Sequence, residues 1–313
     1  MSENPNTNRN PRAFHPLETL KRWGDFVKIS HTVFALPFAL ASMAIAARDS
    51  RGWPGWRLFG LIVLAMFFAR TCAMAFNRIV DRKFDARNPR TAGRHLPQGS
   101  ISLVSAWTLW GLCAVGFLAV SWAINLACFY LSPVALFVVC FYSLTKRFTD
   151  FTHVYLGVAL GLAPIGAWIA VRGGLGFATM ETNGLIPILM SGAVVFWLIG
   201  FDIIYATQDY EFDRGAGLRS LVVRWGPTRA LRRAFQSHVA MVVLMVLMGV
   251  VAGFRYAYFP CVVLIAIFLT SEHVLARRRD PNWIQMAFFR LNAIISMLFL
   301  AAILIEIAFP KPW

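Results

Sequence analysis

Nine apolar stretches of roughly 20 residues recur along the chain, near 29–47, 58–77, 102–123, 125–143, 154–171, 184–204, 235–253, 256–271 and 288–309. That length is what an α-helix needs to cross the hydrocarbon core of a bilayer, about 30 Å at 1.5 Å per residue. The expected fold is all-α: a polytopic membrane protein of nine transmembrane helices around a central cavity. Composition agrees, because 58% hydrophobic content, 14% charged content and a mean hydropathy of +0.61 exclude a soluble globular domain. The apolar residues run from about residue 30 to residue 309, so a soluble domain on one anchor is excluded as well. Cys72, Cys113, Cys128, Cys140 and Cys261 all fall inside apolar runs without CxxC spacing, which points to neither a disulfide framework nor a zinc site.

Residues 1–28 form a polar N-terminal tail, and residues 29–313 a single transmembrane domain with motif loops at 78–101 and 205–230. The first apolar stretch follows Lys21, Arg22 and Lys28 with no small-residue cleavage site, so a removable signal peptide is not expected. Thirty Lys and Arg against fifteen Asp and Glu give a net charge of +15. In a soluble chain that excess would suggest nucleic acid; in a membrane chain it first sets orientation. With the N-terminus in the cytoplasm, 22 cations lie inside and only Arg48, Arg51, Arg57, Arg172, Arg255 and Lys311 outside. The positive-inside rule then predicts a multi-pass protein of the cell (inner) membrane, its tail and motif loops cytoplasmic, with the lipid bilayer and not nucleic acid as its surroundings. Trp23, Trp53, Trp56, Trp225, Trp283 and Trp313 stand at predicted span ends as headgroup anchors, and Gly157 and Gly161 form a small-xxx-small pair suited to close helix packing.

Acidic residues are scarce and clustered. Asp81 and Asp85 stand in NRIVDRKFD, and Asp202, Asp209, Glu211 and Asp213 in DIIYATQDYEFD. At about 100° per residue, Asn77, Asp81 and Asp85 drift only about 40° per step, and Asp202, Asp209 and Asp213 fall within about 20° of one another, with Tyr205 about 60° away. Glu211 points elsewhere. Like charges at i, i+4 destabilise a helix by roughly 0.2–0.5 kcal/mol per pair, and by more near low dielectric, so a cation is expected between them. Arg78, Arg82, Lys83 and Arg214 could supply it as a solvated charge ladder. The two stripes, however, end predicted spans two and six, an even number of crossings apart, so they emerge on one face and can oppose each other across a cavity. Facing carboxylates with an Asn amide suit Mg²⁺, a hard ion that keeps phosphate oxygens in its shell. Arg90, Arg94, Lys146, Arg147 and Arg219 in the surrounding basic loops are placed to contact those oxygens. A diphosphate site at the mouth of an apolar bundle implies a ligand with an ionic head and a greasy tail.

The motifs Asn77-x3-Asp81-x3-Asp85 and Asp202-x2-Tyr205-x3-Asp209-x3-Asp213, with Arg70 seven residues before the first and Tyr142-x3-Lys146-Arg147-x-Thr149 between them, resemble those of the UbiA superfamily of intramembrane prenyltransferases. The segments KISHTVFALPFAL and NPRTAGRHLPQGSIS look most similar to its 4-hydroxybenzoate polyprenyltransferase-like branch. The resemblance implies Mg²⁺-dependent transfer of a polyprenyl group from its diphosphate to an aromatic acid, 4-hydroxybenzoate, in respiratory quinone synthesis, with a hydroxynaphthoate acceptor in menaquinone synthesis as the alternative. It assigns Asp81, Asp85, Asp202, Asp209 and Asp213 to metal binding, with two Mg²⁺ bridging the diphosphate and Asn77 beside metal and acceptor. Lys146 and Arg147, with Arg94, look like diphosphate contacts, and Tyr142 and Tyr205 could stabilise an allylic cation. Arg70, an intramembrane cation on the Asn77 face, is paired either with the acceptor carboxylate or with the aspartate stripe. His31, His95 and His153 read as local hydrogen-bonders. His31 stands where many quinone-pathway members have proline. An ion-coupled transporter, the competing class, would need acids along a path at the bilayer midplane, whereas here they gather at one interface.

Overall fold

With no water at bilayer depth, each apolar run can satisfy its backbone only through its own helical bonds. The structure is a computed structural model describing residues 16–28, 32–176, 183–277 and 281–309, without the side chains of 16–17, 32–33 and 281–289. Among the described residues the order is α1 (Pro16–Phe26), α2 (Thr32–Ala46), α3 (Trp56–Asp85), α4 (Leu103–Ile124), α5 (Leu126–Phe141), α6 (Thr152–Arg172), α7 (Leu185–Ala206), α8 (Tyr210–Gly215), α9 (Leu221–Trp225), α10 (Pro227–Val251), α11 (Tyr258–Ala276) and α12 (Pro281–Ala308). Eight of these are long and apolar enough to cross a membrane, and α2 is apolar but only 15 residues long. They match the nine expected spans in order. His31 and Trp313, the side chain of Trp283, and residues 29–31 of the first expected span lie outside the described residues.

Three boundaries differ from expectation, each for a local reason. The motif loop expected at 78–101 begins later, because α3 runs on to Asp85; Arg82 and Lys83 in its last turn suit the negative end of a helix. The loop expected at 205–230 holds two short helices, α8 and α9. The last of the basic stretch belongs to α10, which starts at Pro227 and not 235, since proline at the first helical position after Gly226 favours initiation whatever the hydropathy of the turn. Between α4 and α5 one residue makes the reversal. Asn125 is extended, its Oδ1 accepts from Cys128 N at 2.8 Å to start α5, and its Nδ2 donates to Ile169 O at 3.0 Å.

The bundle is asymmetric. Its dry core lies among α2, α7, α10, α11 and α12, where Trp168 of α6 joins Phe38, Trp197, Tyr258 and Phe299, all at most 1% exposed. A buried polar net ties this half together: Trp197 Nε1 donates to Asn292 Oδ1 at 2.7 Å, Asn292 Nδ2 to Glu272 Oε1 at 2.5 Å, and His273 and His238 pair at 2.9 Å. The other half, bounded by α3, α4, α5, α6 and α7, encloses a cavity. Helix α1 lies beside its mouth, burying Phe26 and Val27 against Ala75, Ile79 and Ile101 while Lys21 and Arg22 stay exposed.

Helix α6 separates the two halves and packs on α7 through glycine, as the small-xxx-small spacing suggests. A Cβ on Gly157 would sit 2.8 Å from Val195 O, and one on Gly161 2.8 Å from Val195 Cγ2 and 3.0 Å from Ser191 Oγ. The Gly157 neighbour is backbone and cannot turn away. Gly157→Ala should therefore lower the melting temperature in detergent, since overpacking of about 1–3 kcal/mol outweighs the ~1 kcal/mol that alanine adds to helix propensity. A melting temperature equal to or above that of the wild type would show that the interface yields.

Candidate active site

The last two turns of α3 and the end of α7 present their acids to one cavity of about 970 Å³. Asn77, Asp81, Asp85, Asp202, Asp209 and Asp213 all line it, as do Arg70, Arg94, Tyr142, Lys146, Arg147 and Tyr205. Glu211 is exposed and does not line it, in keeping with its place off the stripe. The second stripe is not one continuous helix. Residues Thr207–Asp209 tighten into a 3₁₀ turn before α8, so the angles drawn for an unbroken α-helix do not hold past Ala206. Asp209 and Asp213 still reach the cavity, now from separate elements.

The two acid segments meet through the loop that follows α3. Asn88 Nδ2 donates to Asp209 Oδ1 at 3.1 Å, and Arg90 forks onto the same carboxylate with Nε–Oδ1 at 2.8 Å and Nη2–Oδ2 at 2.5 Å. The third nitrogen of Arg90 donates to the Tyr205 hydroxyl at 2.8 Å, with the guanidinium 5.2 Å from that ring's centre. Burial alone would weaken the charge on Arg90, but the hydrogen bond and charge of Asp209, with Tyr205, hold its pKa above the ordinary arginine value.

Every carboxylate has its own counter-group. Asp81 accepts from Asn77 Nδ2 at 2.9 Å and lies 3.5 Å from Arg147 Nη2; Asp85 takes Arg94 Nη1 at 2.7 Å. Asp202 bonds His153 Nδ1 at 2.6 Å, and Asp213 lies 3.8 Å from Lys146 Nζ. The direct ion pairs among the described residues are thus made by Arg90, Arg94, Lys146 and Arg147, and not by Arg78, Arg82, Lys83 or Arg214, the neighbours that a solvated ladder would use, although Arg78 lies close enough to Asp85 and Asp81 to act on their charge. Among the described residues no three carboxylate or imidazole groups converge to enclose an ion. The donor set nonetheless fits a hard divalent cation: it is all oxygen, and Asp85 Oδ2 is buried with no hydrogen-bond partner.

Other expected residues divide. Arg70 is not paired with the aspartates; its Nη2 donates to Lys28 O at 3.3 Å and its buried Nε has no partner. Arg147 also donates to Val80 O at 2.7 Å, a contact between the 3₁₀ turn Tyr142–Arg147 and α3. Arg219, expected near phosphate, does not line the cavity: its backbone N–H donates to Lys146 O at 2.8 Å and its side chain to Phe148 O at 3.0 Å. His95 lines the mouth, and burial lowers its pKa. Asn88 and Arg78 were not singled out for the site by the sequence. Arg78 is 7% exposed, lines the cavity and donates weakly to Phe26 O at 3.5 Å. For Asn88 the available signal was an Asn-Pro pair three residues after the last aspartate of the motif.

Below this charged mouth the cavity is apolar. It follows α6 from Thr152 to Ala170, about 27 Å of helix, past Ala159, Ala163, Gly166 and Ala167, and faces Ile62 and Met66 of α3 and Leu131 of α5. A Cβ on Gly166 would meet nothing within 4 Å. The shape suits an amphiphile with an anionic head. At the other ends of the helices the acids are structural: Asp49 pairs with Arg172 at 2.8 Å, and Glu306 Oε1 accepts from Arg255 N, Ala257 N and Tyr258 N at the start of α11. An ion path through the bundle finds no carboxylate counterpart in either.

The sequence profile of the UbiA prenyltransferase family matches residues 35–294. A 4-hydroxybenzoate octaprenyltransferase from Marinobacter nauticus is 30% identical over 247 residues, 78% of this chain and 80% of that protein. One from an Enterobacter species is 29% identical over 92% of this chain and 93% of its own length. Among solved structures, the apo form of a UbiA homolog from Aeropyrum pernix K1 superposes with a TM-score of 0.78 at 30% identity, over 89% of this chain and 98% of that one. A UbiA homolog from Archaeoglobus fulgidus, bound to GPP and Mg²⁺, shares the fold with a TM-score of 0.69 at 23% identity, over 92% and 100% of the two chains.

Replacing Arg90 tests how the cavity balances its charge. Arg90→Gln should lower the melting temperature of the metal-free protein, by on the order of 1–3 kcal/mol of lost charge-assisted bonding. Added Mg²⁺ should then raise the variant's melting temperature by more than it raises the wild type's. Equal shifts in both proteins would show that no ion takes over the position of the guanidinium.

Proposed function

The chain belongs to the UbiA prenyltransferase family, and on that premise we propose that it transfers a polyprenyl group from polyprenyl diphosphate to an aromatic acid, 4-hydroxybenzoate, in respiratory quinone synthesis. One observation carries the reading: two acid segments, far apart in sequence, are joined by Asn88 and Arg90 on Asp209 at the charged mouth of a cavity whose remainder is apolar. The names of the Marinobacter and Enterobacter relatives support the acceptor, and the GPP and Mg²⁺ bound to the Archaeoglobus homolog support the donor and the metal.

In this reading Asp81, Asp85, Asp202, Asp209 and Asp213 would hold Mg²⁺, as two ions, which would neutralise the charge that builds on the departing diphosphate. Arg90, Arg94, Lys146 and Arg147, which pair with these carboxylates, would turn onto phosphate oxygens. The allylic C–O bond breaks with its electron pair on the diphosphate, and the faces of Tyr142 and Tyr205 stabilise the allylic cation by roughly 0.5–2 kcal/mol each. Arg70, with an unpartnered Nε and no carboxylate of its own, takes the acceptor's carboxylate, and Asn77 stands beside the acceptor. The acceptor ring carbon ortho to the phenol forms the new C–C bond and then loses its proton to the departed diphosphate, while the apolar stem keeps out the water that would trap the cation. The excess of Lys and Arg at this end supports a site that opens to the cytoplasmic side of the inner membrane.

Membranes containing the protein, given Mg²⁺, a polyprenyl diphosphate and a panel of hydroxybenzoates and hydroxynaphthoates, should yield a prenylated 4-hydroxybenzoate by mass spectrometry. Asp81→Ala and Asp209→Ala should each reduce product below detection without changing expression, and excess chelator should do the same. Full activity in both variants or in chelator removes the metal–diphosphate assignment, and product from a hydroxynaphthoate alone replaces the acceptor.

A further inference from the structure

Four of the five cavity carboxylates are paired with side chains that can move. Arg90 and Arg94 are 26% exposed and Lys146 and Arg147 38% exposed, all on long flexible stems, so each can exchange its carboxylate for an anion arriving in the cavity. Asp202 is different. Its partner His153 is the second residue of α6, 0% exposed, and does not itself line the cavity. The first turn of α6 is tied down beside it: Thr152 Oγ1 bonds Thr145 Oγ1 at 2.9 Å, and Val154 N and Tyr155 N both donate to Phe151 O. The imidazole therefore has neither the room nor the reach to leave. Its Nδ1 lies 2.6 Å from Asp202 Oδ2, while Asp202 Oδ1 has no hydrogen-bond partner among the described residues and the carboxylate is 20% exposed toward the cavity.

We propose that His153 is a positioning residue that pins Asp202 Oδ2 and so presents Oδ1, in one fixed orientation, to a divalent cation. The inference rests on the reading that these aspartates hold Mg²⁺. It assigns the five carboxylates two different jobs: four change partners when ligand enters, and one is set in place beforehand. Because His153 stands behind Asp202, it touches neither substrate nor cation and acts only through that carboxylate, as outer partners of metal ligands do elsewhere.

The test is Mn²⁺ affinity, read by electron paramagnetic resonance on the purified full-length protein in nanodiscs, with geranyl thiolodiphosphate as a slow-reacting donor. His153→Leu should weaken Mn²⁺ binding by about 10–100-fold, and His153→Asn, whose amide nitrogen stands where the imidazole Nδ1 does and can still donate to Asp202, should restore most of it. Asp202→Asn should show a comparable loss, and the double variant no more than the Asp202→Asn loss, because the two residues act as one unit. Should His153→Leu fail to fold by melting temperature, His153→Met, unbranched and without a hydrogen-bond donor, carries the same expectation. If Asp202→Asn weakens Mn²⁺ but the His153 variants do not, or if the losses simply add, the positioning role is overturned while the metal site stands. If Asp202→Asn leaves Mn²⁺ affinity unchanged, the metal assignment of Asp202 fails and the role of His153 falls with it.

Discussion

Negative charge next to hydrocarbon has to be neutralised, and the arrangement of this cavity follows from that requirement. Five carboxylates gather at the end of an apolar bundle, three of them on residues that are buried outright: Asp85, Asp209 and Asp213. Unpaired, each would carry a desolvation penalty of several kcal/mol. The chain answers by bringing a partner to each from three elements: Arg90 and Arg94 from the loop after α3, Lys146 and Arg147 from the 3₁₀ turn after α5, and His153 from the first turn of α6. The positions of α5, α6 and the connecting loops around α3 and α7 are thus set in part by electrostatics and not by apolar packing alone. The same pairs that stabilise the empty cavity are the ones a metal–diphosphate complex would have to reorganise.

The two halves of the bundle divide the labour. The half built from α2, α7, α10, α11 and α12 is densely packed around Trp197 and Phe299, and Trp197, Asn292 and Glu272 bond to one another within it. The half built from α3, α4 and α5 is left open. Helix α7 belongs to both, so Asp202 near its end is mounted on the densely packed half while it faces the open one, and Asp209 and Asp213 follow in the turns beyond it. A site whose reacting groups must be held within fractions of an ångström gains from such a mounting.

Much of this was legible in the chain. Among the described residues the nine apolar runs become eight helices of membrane-crossing length and the shorter α2, because hydropathy and length act locally, and the stripe Asn77, Asp81, Asp85 survives as a helical face because α3 continues through it. What could not be read depends on partners distant in sequence or on local geometry that hydropathy does not encode. The 3₁₀ turn at Thr207–Asp209 breaks the wheel that an unbroken helix would give, and the early start of α10 lies in residues too charged to look membrane-embedded. That Asn88 would reach across 121 positions to Asp209, or His153 across 49 to Asp202, is a property of how α3, α6 and α7 pack. The roles of Arg78, Arg82, Lys83 and Arg214 as counter-charges were plausible by proximity in sequence, and the fold gave the direct ion pairs to other residues.

Helix α6 carries small residues on two faces for opposite reasons. On the α7 side Gly157 and Gly161 are filled to the limit by Val195 and Ser191, whereas on the cavity side Gly166 borders open space. Bulk added to the first face spreads the bundle; bulk added to the second only subtracts from the volume left for a tail. Gly166 is therefore a position at which the stem can be shortened in graded steps, alanine before leucine, with the scaffold left as it is.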